Sequence, residues 1–306
     1  MFAMARVSYV YASRSTWRFT VLQSSSGSAA GPVPEEGKMK TIAVVNTKGG
    51  CGKTTTAINI AACAGWRGEK ILLVDLDPQG HATLGLNLSV EETAGLYEVF
   101  SRRCELDDII IHDVVAGIDM VPASSSLQQA EELLSDWPRE KELALHLQPL
   151  RARYRGIVLD CPAHAGLLAT NALLAADEIL IPVEMGLFGF ESVQRITTMM
   201  EDLAIRHECR FNWSILPTMV DQRTRIARRF LRQLWETWPD HILPVLVHNT
   251  VGVREATSRG LPVIDYDRNS VATRDYQQLA ARMFALPAAD VPSARVVSLP
   301  VAGATL

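Results

Sequence analysis

Lys48-Gly49-Gly50-Cys51-Gly52-Lys53-Thr54-Thr55 sets three glycines in front of a lysine and two hydroxyl side chains. This is the chemistry of a phosphate-binding loop. The glycines let backbone N–H groups converge on phosphate oxygens, Lys53 brings a positive charge to the β- and γ-phosphates, and Thr54 offers a hydroxyl to Mg²⁺. The general pattern G-x-x-x-x-G-K-[ST] begins with a glycine, whereas this chain has Thr47 there and a second lysine, Lys48, five residues before Lys53. The flanks have the order such a loop needs. Thr41-Ile42-Ala43-Val44-Val45-Asn46 reads as a buried strand, and Thr54 to Ala64 reads as a helix whose positive N-terminal end faces the anion.

Further along, Ile71-Leu72-Leu73-Val74-Asp75 is a second apolar run, and it leads into Leu76-Asp77-Pro78-Gln79-Gly80-His81-Ala82-Thr83. An acidic pair at the carboxyl end of a strand lies where an open α/β sheet places its ligand. Tyr154-Arg155-Gly156-Ile157-Val158-Leu159-Asp160-Cys161-Pro162 is another buried strand, and it delivers a single carboxylate, Asp160, expected to reach Mg²⁺ through water. Strands and helices alternate to the end of the chain. The expected fold is therefore α/β: a doubly wound, mostly parallel sheet with helices on both faces.

Taken together these segments resemble the ParA/MinD ATPases, whose deviant Walker A loop carries the extra lysine, and ParA/Soj-type partition ATPases in particular. The resemblance runs from about residue 40 to about residue 284. The 76–83 stretch is similar to the family's D-x-D-P-Q-G-N-A-T, with His81 in place of asparagine, and Pro162-Ala163-His164 stands where relatives continue Pro-Pro-Ser. Asn171 to Asp177, before the strand Ile179 to Val183, resembles N-A-L-x-A-A-D, and Thr218-Met219-Val220-Asp221-Gln222-Arg223-Thr224 resembles T-M-x-D-x-R-T. The resemblance implies ATP and Mg²⁺ as cofactors, with Lys48, Gly49, Gly50, Cys51, Gly52, Lys53, Thr54 and Thr55 around the nucleotide. It implies catalytic roles for Lys48, Lys53 and Asp77. Lys48 would reach across a two-fold interface to the partner's nucleotide in an ATP-dependent homodimer, Asp77 would position the attacking water, and Asp75 would close its strand near the metal held by Thr54 and Asp160. His164 is expected to be a polar loop residue.

Composition narrows the partners. The chain has 306 residues, 48% hydrophobic and 21% charged, enough for one large core. No apolar run approaches the ~20 residues of a spanning helix, so no integral membrane association is expected. Five cysteines without a C-x-x-C pair favour a reducing compartment, which fits a cytoplasmic protein. Residues 1–38 are Arg- and Ser-rich; a disordered or artefactual leader is expected there in preference to a transit peptide, followed by the ATPase domain over 39–286 and a flexible tail over 287–306. The leader holds 4 basic and 2 acidic residues out of totals of 30 and 34, which leaves a body of net charge −6.

An acidic body restricts any nucleic-acid contact to a local basic patch. Arg223, Arg225, Arg228, Arg229 and Arg232 put five positive charges within ten residues, at a spacing that gathers the last four on one side of a helix with Ile226, Phe230 and Leu234 on the buried side. Such a stripe suits phosphate and cannot read bases. In nucleoid-bound relatives an arginine matching Arg223 contributes to non-specific DNA binding, whereas Gly252 takes the place of a second such arginine and Arg254 and Arg259 are its expected substitutes. The loss of the family's P-R pair at His248 and Asn249 touches the adenine side of the site. The expected function is a ParA-type ATPase, nucleoid-associated in the cytoplasm, that positions a plasmid, chromosome or protein cargo with a ParB-like or other adaptor. A MinD-like membrane switch and an electron- or metal-delivery ATPase are the alternatives. The first lacks a basic amphipathic C-terminus here, and the second lacks cysteines in the required context.

Overall fold

The computed structural model describes residues 39–90, 94–135 and 139–287. The expectations for the leader at 1–38 and for 288–306 lie outside the described residues.

Strands β1 (Lys40–Val44), β2 (Ile71–Asp75), β3 (Ile111–Val115), β4 (Ile118–Val121), β5 (Gly156–Asp160), β6 (Glu178–Glu184) and β7 (Trp213–Thr218) form one sheet in the order β3-β4-β2-β5-β1-β6-β7. All neighbours are parallel except the edge strand β3, which pairs antiparallel with β4. The helices are α1 (Lys53–Gly65), α2 (His81–Gly85), α3 (Leu96–Phe100), α4 (Leu127–Leu133), α5 (Glu142–Leu147), α6 (Leu167–Ala175), α7 (Leu187–His207), α8 (Arg225–Thr237), α9 (Val251–Ser258), α10 (Val263–Tyr266) and α11 (Val271–Met283).

The central strands are apolar on both faces because both faces are covered. Ile42, Val44, Leu73 and Val158 point into a layer with α1, α10 and α11, while Ala43, Leu72, Val74, Ile157 and Leu159 point into the opposite layer with α3 to α7. Gly156 opens β5 because α11 ends against it: a Cβ there would stand 2.3 Å from the Phe284 ring.

One local expectation is corrected. On α8 the buried seam is Ala227, Leu231 and Leu234, whereas Ile226 is exposed and Phe230 half-buried. The helix is capped by Thr224, whose hydroxyl accepts from the Ala227 amide at 3.3 Å. The small Ala227 side chain faces inward and turns the larger Ile226 outward. Arg225, Arg229 and Arg232 remain exposed on the side opposite that seam, and Arg228 is half-buried.

Candidate functional site

The site follows from strand register. Val44 of β1 and Asp75 of β2 both pair with Asp160 of β5, so the loop after β1 and two carboxylates meet at one edge of the sheet. Asn46 fixes the start of the loop: its amide donates to the Pro182 carbonyl at 2.7 Å, and its Oδ1 accepts from the Lys48 amide at 3.0 Å. Thr218 at the end of β7 fixes the middle by donating to the Cys51 carbonyl at 2.8 Å. Gly50 and Gly52 hold φ of 75° and 92°, left-handed values that disfavour any side chain, and Gly52 hands the chain directly to α1. The loop borders an open cleft of about 860 Å³, lined also by Lys53, Thr54, Asp77, Gln128, Glu131 and His164.

Three carboxylates at this edge have different surroundings. Asp75 is fully buried and accepts from the Thr83 amide and hydroxyl, each at 2.8 Å, and from the Asp77 amide at 3.1 Å. Burial pushes its carboxyl up to about 6, against the pull of those hydrogen bonds. Asp77 lines the cleft, its Oδ1 accepting from the Gln79 amide at 3.0 Å. Asp160 is fully buried, yet neither of its oxygens has a hydrogen-bond partner. Burial and then the charge of Asp75 push its carboxyl well above the usual range, while the nearby Thr54 hydroxyl and Lys53 ammonium pull the other way. A buried charged group without a partner is costly, and a hydrated divalent cation between Asp160 and Thr54 would remove that cost. The residues present therefore fit Mg²⁺.

The two lysines diverge. Lys53 is buried at the foot of the cleft, and its ammonium donates to the Lys48 carbonyl at 3.4 Å. Lys48 is absent from the cleft lining; its ammonium is paired with the carboxylate of Glu184 at the end of β6. Cys51, whose thiol donates to the Lys48 carbonyl at 3.2 Å, has its pKa raised by burial.

A second pocket of about 390 Å³ adjoins the first through Gly52, Thr55, Met219 and Thr257 and is lined by His248, Asn249, Thr250 and Arg254. Its floor is ordered by Asp275, which accepts from His248 Nδ1 at 2.8 Å and from the His248 amide at 3.0 Å and raises the imidazole's pKa. Arg254 therefore sits on α9 beside this pocket, apart from the arginines of α8. Arg223 lies just before α8, and its guanidinium makes two contacts of 2.9 Å with Asp221. His164 contacts Glu131 at 2.9 Å on the cleft wall. Asn46 and Thr218 enter the sequence analysis only as parts of a strand and a motif, and Glu131 and Glu184 do not enter it. Only the polar residues at the strand ends, Asn46, Glu184 and Thr218, carried a signal. Among the described residues no cluster of three or more His, Cys, Asp or Glu is arranged to hold a metal on its own, and no helix is long and apolar enough to cross a membrane.

A family model described as an AAA domain matches residues 39–212. The sporulation initiation inhibitor protein Soj of Bacillus subtilis is 34% identical over 256 residues, covering 80% of this chain and 98% of that protein. The chromosome partitioning protein ParA of Myxococcus xanthus is 34% identical over 259 residues, covering 83% and 91%. Among solved structures, cobyrinic acid a,c-diamide synthase of Mycobacterium smegmatis with a bound ATP analog and magnesium superposes with a TM-score of 0.68 at 26% identity, covering 80% of this chain and 94% of that one. The septum site-determining protein MinD of Pyrococcus horikoshii, complexed with Mg-ADP, shares the fold with a TM-score of 0.64 at 21% identity, covering 82% and 100%.

Proposed function

Because the chain belongs to the ParA/MinD family of P-loop ATPases, we propose that it closes as a homodimer around Mg-ATP, binds DNA without reading sequence, and is released when an adaptor stimulates hydrolysis. The observation that carries this reading is the separation of the two lysines. Lys53 lines its own cleft, while the Lys48 ammonium is held outside that lining by Glu184 at the end of β6. A second copy would supply the phosphates that Lys48 lacks. Apolar side chains left exposed at the same end of the sheet support this: Leu84 and Met219 on the cleft, and Leu187 and Phe188 just after β6.

In this reading the loop amides and Lys53 hold the phosphates, the second pocket receives the base, and Thr54 and, through water, Asp160 hold Mg²⁺ with Asp75 buttressing the strand end. Bound there, the ion would neutralise charge on the β- and γ-phosphates. Asp77, on the cleft wall, orients the attacking water. Turnover without an activator is slow, on the order of 10⁻⁴ to 10⁻² s⁻¹ as for NTPases awaiting a supplied group. Arg223, Arg225, Arg228, Arg229 and Arg232, with Arg254, meet DNA phosphates. Closing the dimer doubles these contacts, which makes binding ATP-dependent and steeply salt-dependent. In this reading the cargo is a plasmid, chromosome or protein body, bound by a ParB-like or other adaptor, in the cytoplasm over the nucleoid.

Sedimentation with ATP tests the reading. The parent protein should dimerise, and Lys48→Ala should bind ATP yet stay monomeric; a normal ATP dimer in that variant rejects it. In parallel, replacing Arg223, Arg225 and Arg229 together by alanine should abolish DNA binding and leave the dimer intact.

A further inference from the structure

Lys48 has a partner in its own subunit. The carboxylate of Glu184, 136 residues away in sequence, takes the ammonium at the end of β6, with side-chain exposures of 26% for Lys48 and 43% for Glu184. Both groups are anchored. The Lys48 amide is tied through Asn46 to Pro182, two residues before Glu184 on the same strand, so the backbones of loop and strand end are held together whatever the side chains do. Gly186 and then the exposed Leu187 and Phe188 follow at once, which puts the ion pair on the rim.

We infer that Glu184 is a positioning residue that retains Lys48 in its own subunit until the partner's nucleotide displaces it, and so sets how much ATP is needed to close the dimer. The inference rests on the reading of Lys48 given above. For Lys48 to reach a phosphate across the interface it must leave Glu184, and the bare carboxylate then stands near phosphate oxygens of like charge. Both effects oppose closure. The pair is partly exposed, so each release shifts the equilibrium only a few-fold. Two-fold symmetry requires two releases per dimer, however, and the factors multiply to roughly tenfold in the dimerisation constant.

The experiment is sedimentation equilibrium of the full chain across an ATP series, with melting temperature and monomer ATP affinity measured alongside. Glu184→Gln should tighten the dimer about tenfold, move half-dimerisation to lower ATP and leave the melting temperature unchanged. Glu184→Asp, which keeps the charge, should restore most of the parental ATP dependence. Glu191→Gln removes the same charge seven residues further along the chain, from a side chain that makes no ion pair among the described residues, and it should behave as the parent. An unchanged or weaker dimer in Glu184→Gln overturns the inference, as does equal tightening in Glu191→Gln, which would make the effect one of net charge. If the parent itself fails to dimerise with ATP, the reading of Lys48 fails instead, and the two failures are told apart in one data set.

Discussion

Asp160 and Asp119 are both fully buried, on strands that flank β2, and they are treated in opposite ways. Asp119 pairs in register with Leu72, near the amino end of β2, and gathers donors: His112 and Tyr154 at 2.8 Å, the Asp113 amide at 3.0 Å and Lys70 at 3.1 Å. Despite burial, those hydrogen bonds hold its carboxyl far below the usual range. Asp160 pairs with Asp75 at the carboxyl end of β2, has no donor, and is pushed the other way. One end of the sheet is satisfied from within the fold. The other is left incomplete, and an incomplete buried polar group marks where a ligand belongs.

The largest effect that would sharpen this contrast is on turnover. Asp77→Ala should lower adaptor-stimulated hydrolysis by at least about 10²-fold, the usual contribution of a group that handles the attacking water, with little change in melting temperature; parental turnover would remove Asp77 from the reaction. Next, Asp160→Asn should weaken Mg²⁺-dependent ATP binding about 10- to 100-fold, as measured by calorimetry. The same substitution should leave the unliganded protein at least as stable in denaturant titrations, because it removes a buried ionisable group whose charged form burial disfavours. If it destabilises instead, Asp160 belongs with Asp119 and the contrast breaks.

Asp119→Asn should do the reverse, lowering stability by about 1–3 kcal/mol while ATP affinity stays at the parental value. Its pH dependence has a definite sign. A carboxylate depressed in the folded state contributes stability above its unfolded pKa, near 4, and loses it as pH falls toward the folded value. The parent should therefore lose stability below about pH 4 more steeply than Asp119→Asn. The smallest effect concerns the surface. Asp221→Ala frees Arg223 from an exposed pair, so the melting temperature should not move, and DNA affinity at low salt should rise a few-fold. Weaker DNA binding would give Asp221 a role of its own in shaping the arginine surface.

Much of this was legible in advance where the signal is local. The apolar runs at Ile71–Asp75 and Gly156–Asp160 became the strands expected, because a strand covered on both faces admits little else. The glycines of the loop are readable because left-handed angles such as the 75° and 92° of Gly50 and Gly52 favour a residue without a side chain. The short strands β3, at the edge of the sheet, and β4, beside it, have no counterpart among the strands expected from the sequence. Residues 111–115 are largely exposed and carry His112 and Asp113, a composition that periodicity cannot separate from a loop. The α8 seam was misread by one position, since 226, 230 and 234 fit a helical stripe nearly as well as 227, 231 and 234. What the helix packs against made the choice.

The sequence by itself determined the family, the phosphate loop, the order of strand, loop and helix, and which carboxylates end which strands. These depend on residues within a few positions of one another, where backbone conformational preference and hydrophobic periodicity act directly. The tertiary structure alone decided that Asp75 and Asp160 share an edge, that Asp160 is left without a donor, and that Lys48 rests against Glu184. Each of those is a relation between segments far apart in the chain, set by strand order and register, and electrostatic pairing over a few ångströms exists only once the sheet has brought the partners together.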